Sequence, residues 1–156
     1  MKHNSHVLTL FISLVVPLVV YTFAHMLFGE HPEERWWVVV ACLLFFLSYF
    51  VPSPLVHGQE TQYMTHFVGG GLFSGFLWLY ITRVNKLRLN LAVEATSLFV
   101  LVSTLGVMNE LFETVLFWLG HMPAGIADTS WDLVANSTGA LSFYLVYKGI
   151  QWLRSV

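Results

Sequence analysis

Five long apolar stretches, separated only by short polar segments, account for most of the chain: Val7–Phe28, Trp36–Val56, Tyr63–Thr82, Leu91–Leu119 and Trp131–Leu153. A helix needs about 20 consecutive apolar residues to cross a hydrocarbon core, and each stretch reaches or approaches that length. Charge supports the same reading. Only 10% of the 156 residues are charged, against about 25% in a soluble domain, too few to cover a water-facing surface. The expectation is a single-domain, all-α integral membrane protein, a bundle of about five transmembrane helices whose principal partner is the lipid bilayer. Lys2 followed by an apolar run resembles the start of a signal peptide. The run is too long for a signal core and no small-x-small cleavage site follows it, so it reads as an uncleaved first span.

Basic residues set the orientation, because Lys and Arg concentrate in cytoplasmic segments. With five spans, Arg35, Arg83, Lys86, Arg88 and Arg154 fall on one side, with Lys148 close by, and Lys2 on the other. That predicts an N-terminus outside and a C-terminus in the cytoplasm, in a prokaryotic cell (inner) membrane. Other classes are excluded. There is no basic patch to hold nucleic acid, and the single Cys42, inside an apolar run, allows neither a disulfide nor a cysteine metal site.

Within this apolar background the polar residues are informative. His66 falls within about one turn of the outer end of the third span, and Glu110 and Glu113 two to three turns from the outer end of the fourth. Asp128 precedes the fifth span, Asp132 lies in its first turn and Asn136 one turn deeper. Ionisable groups from three separate spans thus reach similar depth in one leaflet. Glu110 and Glu113 share a helix face at i,i+3, as do Asp132 and Asn136 at i,i+4. A charged group at the bilayer centre costs about 2.5–3.5 kcal/mol even on the milder insertion scale, so such carboxylates are protonated, paired, hydrated or bound to a cation. Carboxylates with a His suit a divalent metal ion, Mg, Mn, Ca or Zn; they can equally share protons. The metal-ligand candidates are Glu110, Glu113, Asp128, Asp132 and His66, with Asn136 as a further polar residue. Simpler roles stand beside these: helix capping for Asp128 and Asp132, interhelical hydrogen bonding for Asn136, and packing for His66. Glu94 is expected at the cytoplasmic interface beside Arg88 or Lys86, and His57, Glu60, Gln62 and His121 in outer loops.

These residues also form a recognisable pattern. His66-Phe67 opening a Gly-rich span, then Asn109-Glu110-Leu111-Phe112-Glu113, then Asp128-Thr129-Ser130-Trp131-Asp132-Leu133-Val134-Ala135-Asn136-Ser137-Thr138-Gly139-Ala140, resembles the VanZ-like and YjdF-like small membrane proteins over about residues 57–147. VanZ-like members commonly carry an Asp-Lys pair where this chain has Gln62-Tyr63, and the second carboxylate, Glu113, is closer to the YjdF-like pattern. The resemblance implies a multi-span helical fold and a carboxylate-rich site, but no particular reaction.

Three functions fit the sequence. The first is an outer-leaflet site in which Glu110, Glu113, Asp132 and His66 act, with a metal, on a lipid, lipid-linked or cell-envelope substrate. The second is ion- or proton-coupled transport. The third is an accessory subunit without catalysis, bound to a membrane-protein partner or to further copies of itself. No Gly-x-Ser-x-Gly nucleophile motif occurs, so whether the chain is an enzyme stays open at this level.

Overall fold

A computed structural model describes residues 2–56, 59–120 and 129–155, with side chains over 10–55, 61–120 and 129–155. The described chain is helical apart from a two-residue antiparallel ladder. Helices α1 (Lys2–Phe28) and α2 (Arg35–Ser48) come first, then strands β1 (Leu55–Val56) and β2 (Gln59–Glu60). Helix α3 runs continuously over Tyr63–Val84 with a π-helical stretch at Phe67–Leu72. Helices α4 (Leu91–Trp118) and α5 (Thr129–Leu153) complete the bundle. Leu10–Phe28 within α1, all of α3 and all of α4 are long and apolar enough to cross a membrane.

Two expected spans differ from this set. The second was expected over 36–56, but α2 stops at Ser48 and covers 14 residues, about 21 Å at 1.5 Å per residue. Pro52 and Pro54 explain the stop: a proline ring clashes with the carbonyl four residues back and biases the residue before it away from helix. The chain therefore leaves the helix over Tyr49–Phe50 and reaches β1 as irregular backbone. The last helix has the expected extent but is less apolar than a usual span. Its buried residues are Asp132, Ala135, Asn136, Gly139, Ala140 and Phe143, a spacing of three and four that marks one helix face. Trp131, Val134, Leu141, Leu145 and Val146 face outward. Helix α5 is thus polar and small-residued inside and apolar outside, the reverse of a helix on a water-soluble domain.

Helix α5 packs most closely on the π-helical stretch of α3, and glycine makes that approach possible. A β-carbon built at Gly71 would sit 2.8 Å from the Ala140 nitrogen, and one at Gly139 would sit 2.9 Å from the Gly71 Cα. The two backbones touch with no side chain between them, as at small-residue crossings of membrane helices. Further along, Trp78 and Leu79 of α3, Leu98 and Val102 of α4, and Ala140 and Phe143 of α5 form the main core. A second cluster of Ala24, Val38 and Tyr80 attaches α1 and α2 to α3. At this end of the bundle Arg83 lies over the Trp37 ring at 6.0 Å, and Lys148 pairs with Glu94, which ties α5 to the start of α4.

Candidate functional site

The opposite end collects the polar residues. Helix α3 supplies His66, α4 supplies Glu110 and Glu113, and α5 supplies Asp132 and Asn136. One carboxylate oxygen from each of Glu110, Glu113 and Asp132 lies within 4.8 Å of the other two, a spacing that can hold a metal ion. Asp132 is 2% exposed, whereas the two glutamates are half-buried. His66, also buried, places its Nε2 3.3 Å from Asp132 Oδ1. The imidazole therefore abuts one carboxylate of the group from the side of α3. Asn109 donates from Nδ2 to Glu113 Oε1 at 2.7 Å, which fixes that carboxylate from one turn earlier on α4. Glu113 also acts electrostatically on Tyr49, just past the end of α2.

The site has two tiers. His66, Glu110 and Asp132 form the upper one. Four residues deeper on the same faces lie Gly70 on α3, Gly106 on α4 and Asn136 on α5. The Asn136 carboxamide fills the space that both glycines leave. A β-carbon at Gly70 would collide with Asn136 Oδ1, and one at Gly106 would sit 3.2 Å from Asn136 Nδ2. Asn136 is 4% exposed. Its Oδ1 and the Oε1 of Glu110 are buried without a hydrogen-bond partner among the described residues. Leaving a buried polar atom unsatisfied costs about 1–3 kcal/mol, so these two oxygens, one within the carboxylate group and one a turn deeper on α5, need an explanation, and a bound cation is one. The donors fit a hard divalent cation, which takes oxygen ligands.

The remaining sequence candidates divide. Asp128, His57 and His121 lie outside the described residues. Glu60 lies in β2, and Gln62 precedes α3 in a left-handed conformation. Glu94 stands at the far end as expected, but its partner is Lys148, not Arg88 or Lys86, and Tyr144 adds a hydroxyl at 3.3 Å. No site role was expected of Asn109, Tyr49, Gly70 or Gly106. For Asn109 one was within reach, since i,i+4 from Glu113 puts the two on one helix face.

Comparison with family models, with curated proteins and with solved structures finds no match. The likeness to VanZ-like and YjdF-like proteins rests on the sequence motifs alone.

Proposed function

We propose that this chain is an integral membrane protein that binds a divalent cation between Glu110, Glu113 and Asp132 in the outer leaflet and presents it to an anionic lipid or cell-envelope substrate. The observation that carries this reading is the approach of three carboxylates from two helices, with Glu110 Oε1 and, one turn deeper on α5, Asn136 Oδ1 buried without a hydrogen-bond partner among the described residues. Three like charges at that spacing repel one another unless a cation or protons neutralise them. A bound divalent ion supplies Lewis-acid polarisation of a phosphoryl or carbonyl oxygen. Around it, Asn109 orients Glu113 and His66 abuts Asp132.

Surface chemistry supports the membrane setting. Leucine, phenylalanine and valine side chains are exposed along α1, α4 and α5. Trp36 and Trp152 are exposed at one end of the bundle and Trp118 and Trp131 at the other, the distribution of an aromatic belt at each interface. Glu113 lies five residues before Trp118, about 7.5 Å along the helix, so the carboxylate group sits just inside the belt, near headgroup level. Of seven Lys and Arg residues, all but Lys2 lie at the opposite end, which makes that end cytoplasmic under the positive-inside rule. Transport fits less well. Towards that end the fourth and fifth helices offer Glu94, which Lys148 already neutralises, so a chain of ionisable groups does not continue across the bundle among the described residues.

The test is a Mn²⁺ titration of chelator-treated protein in nanodiscs, followed by electron paramagnetic resonance. The wild type is expected to take up one Mn²⁺, and Glu113→Gln and Asp132→Asn each to weaken binding by roughly tenfold or more, the scale on which metal sites respond to lost partners. A wild type that leaves Mn²⁺ free, or variants that bind like it, overturns the reading.

A further inference from the structure

We infer that Asn136 Oδ1 is a fourth, neutral oxygen ligand of this cation, and that the site therefore selects an oxygen-seeking ion of the Mg²⁺, Mn²⁺ or Ca²⁺ type over Zn²⁺. The inference rests on the proposed cation site and adds to it a residue and a class of ion.

Helix geometry brings the carboxamide to the carboxylates. Side chains on a helix lean towards its N-terminus and cover the turn before their own. Helix α5 starts at the site, so Asn136 leans up towards Asp132. Helix α4 ends at the site, so Glu110 leans down towards the level of Gly106, where the Asn136 carboxamide already sits. The Asn136 carboxamide lies across this level with Oδ1 against Gly70 of α3 and Nδ2 beside Gly106 of α4, and its Oδ1, like Glu110 Oε1, is buried without a hydrogen-bond partner among the described residues. Gly70 and Gly106 hold the space open for the carboxamide, since any larger residue at Gly70 would occupy the position of Oδ1.

The composition of the set decides the ion. Three carboxylates and one amide oxygen form an all-oxygen shell, which suits Mg²⁺, Ca²⁺ and Mn²⁺, whereas Zn²⁺ gains most from nitrogen and sulfur donors. His66 Nε2 is the nearby nitrogen, and it is turned to the Asp132 carboxylate. His66 is therefore a positioning residue beside a ligand and not a member of the shell.

Two substitutions of nearly unchanged shape separate this role from a structural one. Asn136→Leu removes the oxygen and, with it, a buried polar atom that lacks a partner. Asn136→Asp keeps an oxygen at the same place. Mn²⁺ binding is read by electron paramagnetic resonance and thermal stability by unfolding of the metal-free protein. The expected result is a roughly tenfold or greater loss of Mn²⁺ affinity in Asn136→Leu, with metal-free stability equal to or above wild type, and Mn²⁺ affinity at or above wild type in Asn136→Asp. Zn²⁺ competes with bound Mn²⁺ only weakly in the wild type. Equal Mn²⁺ affinity in all three proteins overturns the assignment of Asn136 and leaves the carboxylate site standing. A metal-free Asn136→Leu protein that is less stable than wild type and binds Mn²⁺ normally assigns Asn136 to interhelical packing and overturns the inference. Failure of the wild type to bind Mn²⁺ overturns both proposals.

Discussion

Gly139 and Gly149 lie on the same helix, ten residues apart, and substituting each by alanine should change stability in opposite directions. At Gly139 the added β-carbon would sit 2.9 Å from the Gly71 Cα and closer still to the Phe67 carbonyl oxygen. Carbon atoms pack best at about 3.5–4.0 Å, and both obstacles are backbone, so α5 and the π-helical stretch must separate by roughly an ångström. Overpacking of this kind costs about 1–3 kcal/mol. At Gly149 nothing lies within 4 Å of the added carbon, and alanine in place of glycine inside a helix contributes about 0.8–1.0 kcal/mol. The same propensity gain applies at Gly139, so the two variants should differ by the overpacking cost alone, about 1–3 kcal/mol. Reversible unfolding in mixed micelles, monitored by tryptophan fluorescence, measures the difference. If Gly139→Ala unfolds like the wild type, or if Gly149→Ala is damaged as badly, the backbone-to-backbone crossing is not what holds α3 to α5. Because Asp132 and Asn136 ride on the same helix, Gly139→Ala should also weaken Mn²⁺ binding, while Gly149→Ala should leave it unchanged.

Other outcomes follow from the contacts at each end. Asn109→Leu removes the donor that orients Glu113 and should lower Mn²⁺ affinity by roughly 10–100-fold with the carboxylates intact; unchanged affinity would show that Glu113 needs no such support. At the far end, Lys148→Met should destabilise more than Glu94→Gln, as urea or micelle unfolding would report. The first leaves Glu94 without its cation, whereas after the second Lys148 still lies over Tyr144 and Tyr147 and reaches Gln151. The reverse order would remove the pair as a tie between α4 and α5. Cys42, half-buried with its thiol towards the Pro17 carbonyl, should react in intact membranes with a membrane-permeant maleimide and not with a charged one. Rapid reaction with the charged reagent would contradict the lipid-facing placement of α1 and α2.

Much of the helical layout could be read from the sequence because apolar length leaves few choices. The ends of α4 and α5 fall within two residues of the expected ones, since Asn90 caps α4 from its side chain and apolar residues fill the rest. Helix α2 shows where that reasoning stops. Hydropathy continues through Pro52 and Pro54, but backbone geometry does not, and the steric rule outranks the apolar count. Distance from the helix ends puts Glu110, Glu113 and Asp132 at similar depth, and the structure brings these three together. What depth could not supply was direction around each helix axis. Tyr49, just past the end of α2, interacts electrostatically with Glu113 for that reason without having been foreseen, whereas the i,i+4 spacing of Asn109 and Glu113 could have been read. The Gly-rich character of α3 was visible in the sequence, yet nothing in that run distinguishes the π-helical winding at Phe67–Leu72, against which α5 packs.

The brevity of α2 has a consequence for the surrounding lipid. Its 14 residues cover about two-thirds of a hydrocarbon layer roughly 30 Å thick, and a bilayer meets such a mismatch by thinning locally. The deficit falls at the end of α2 that carries Tyr49, on the same side as Glu113. Headgroups and water would dip there, shortening the distance a hydrated ion must travel to the carboxylates. If the proposed site holds a cation, Mn²⁺ uptake should accordingly be fastest in bilayers of short-chain lipids and slow as the acyl chains lengthen.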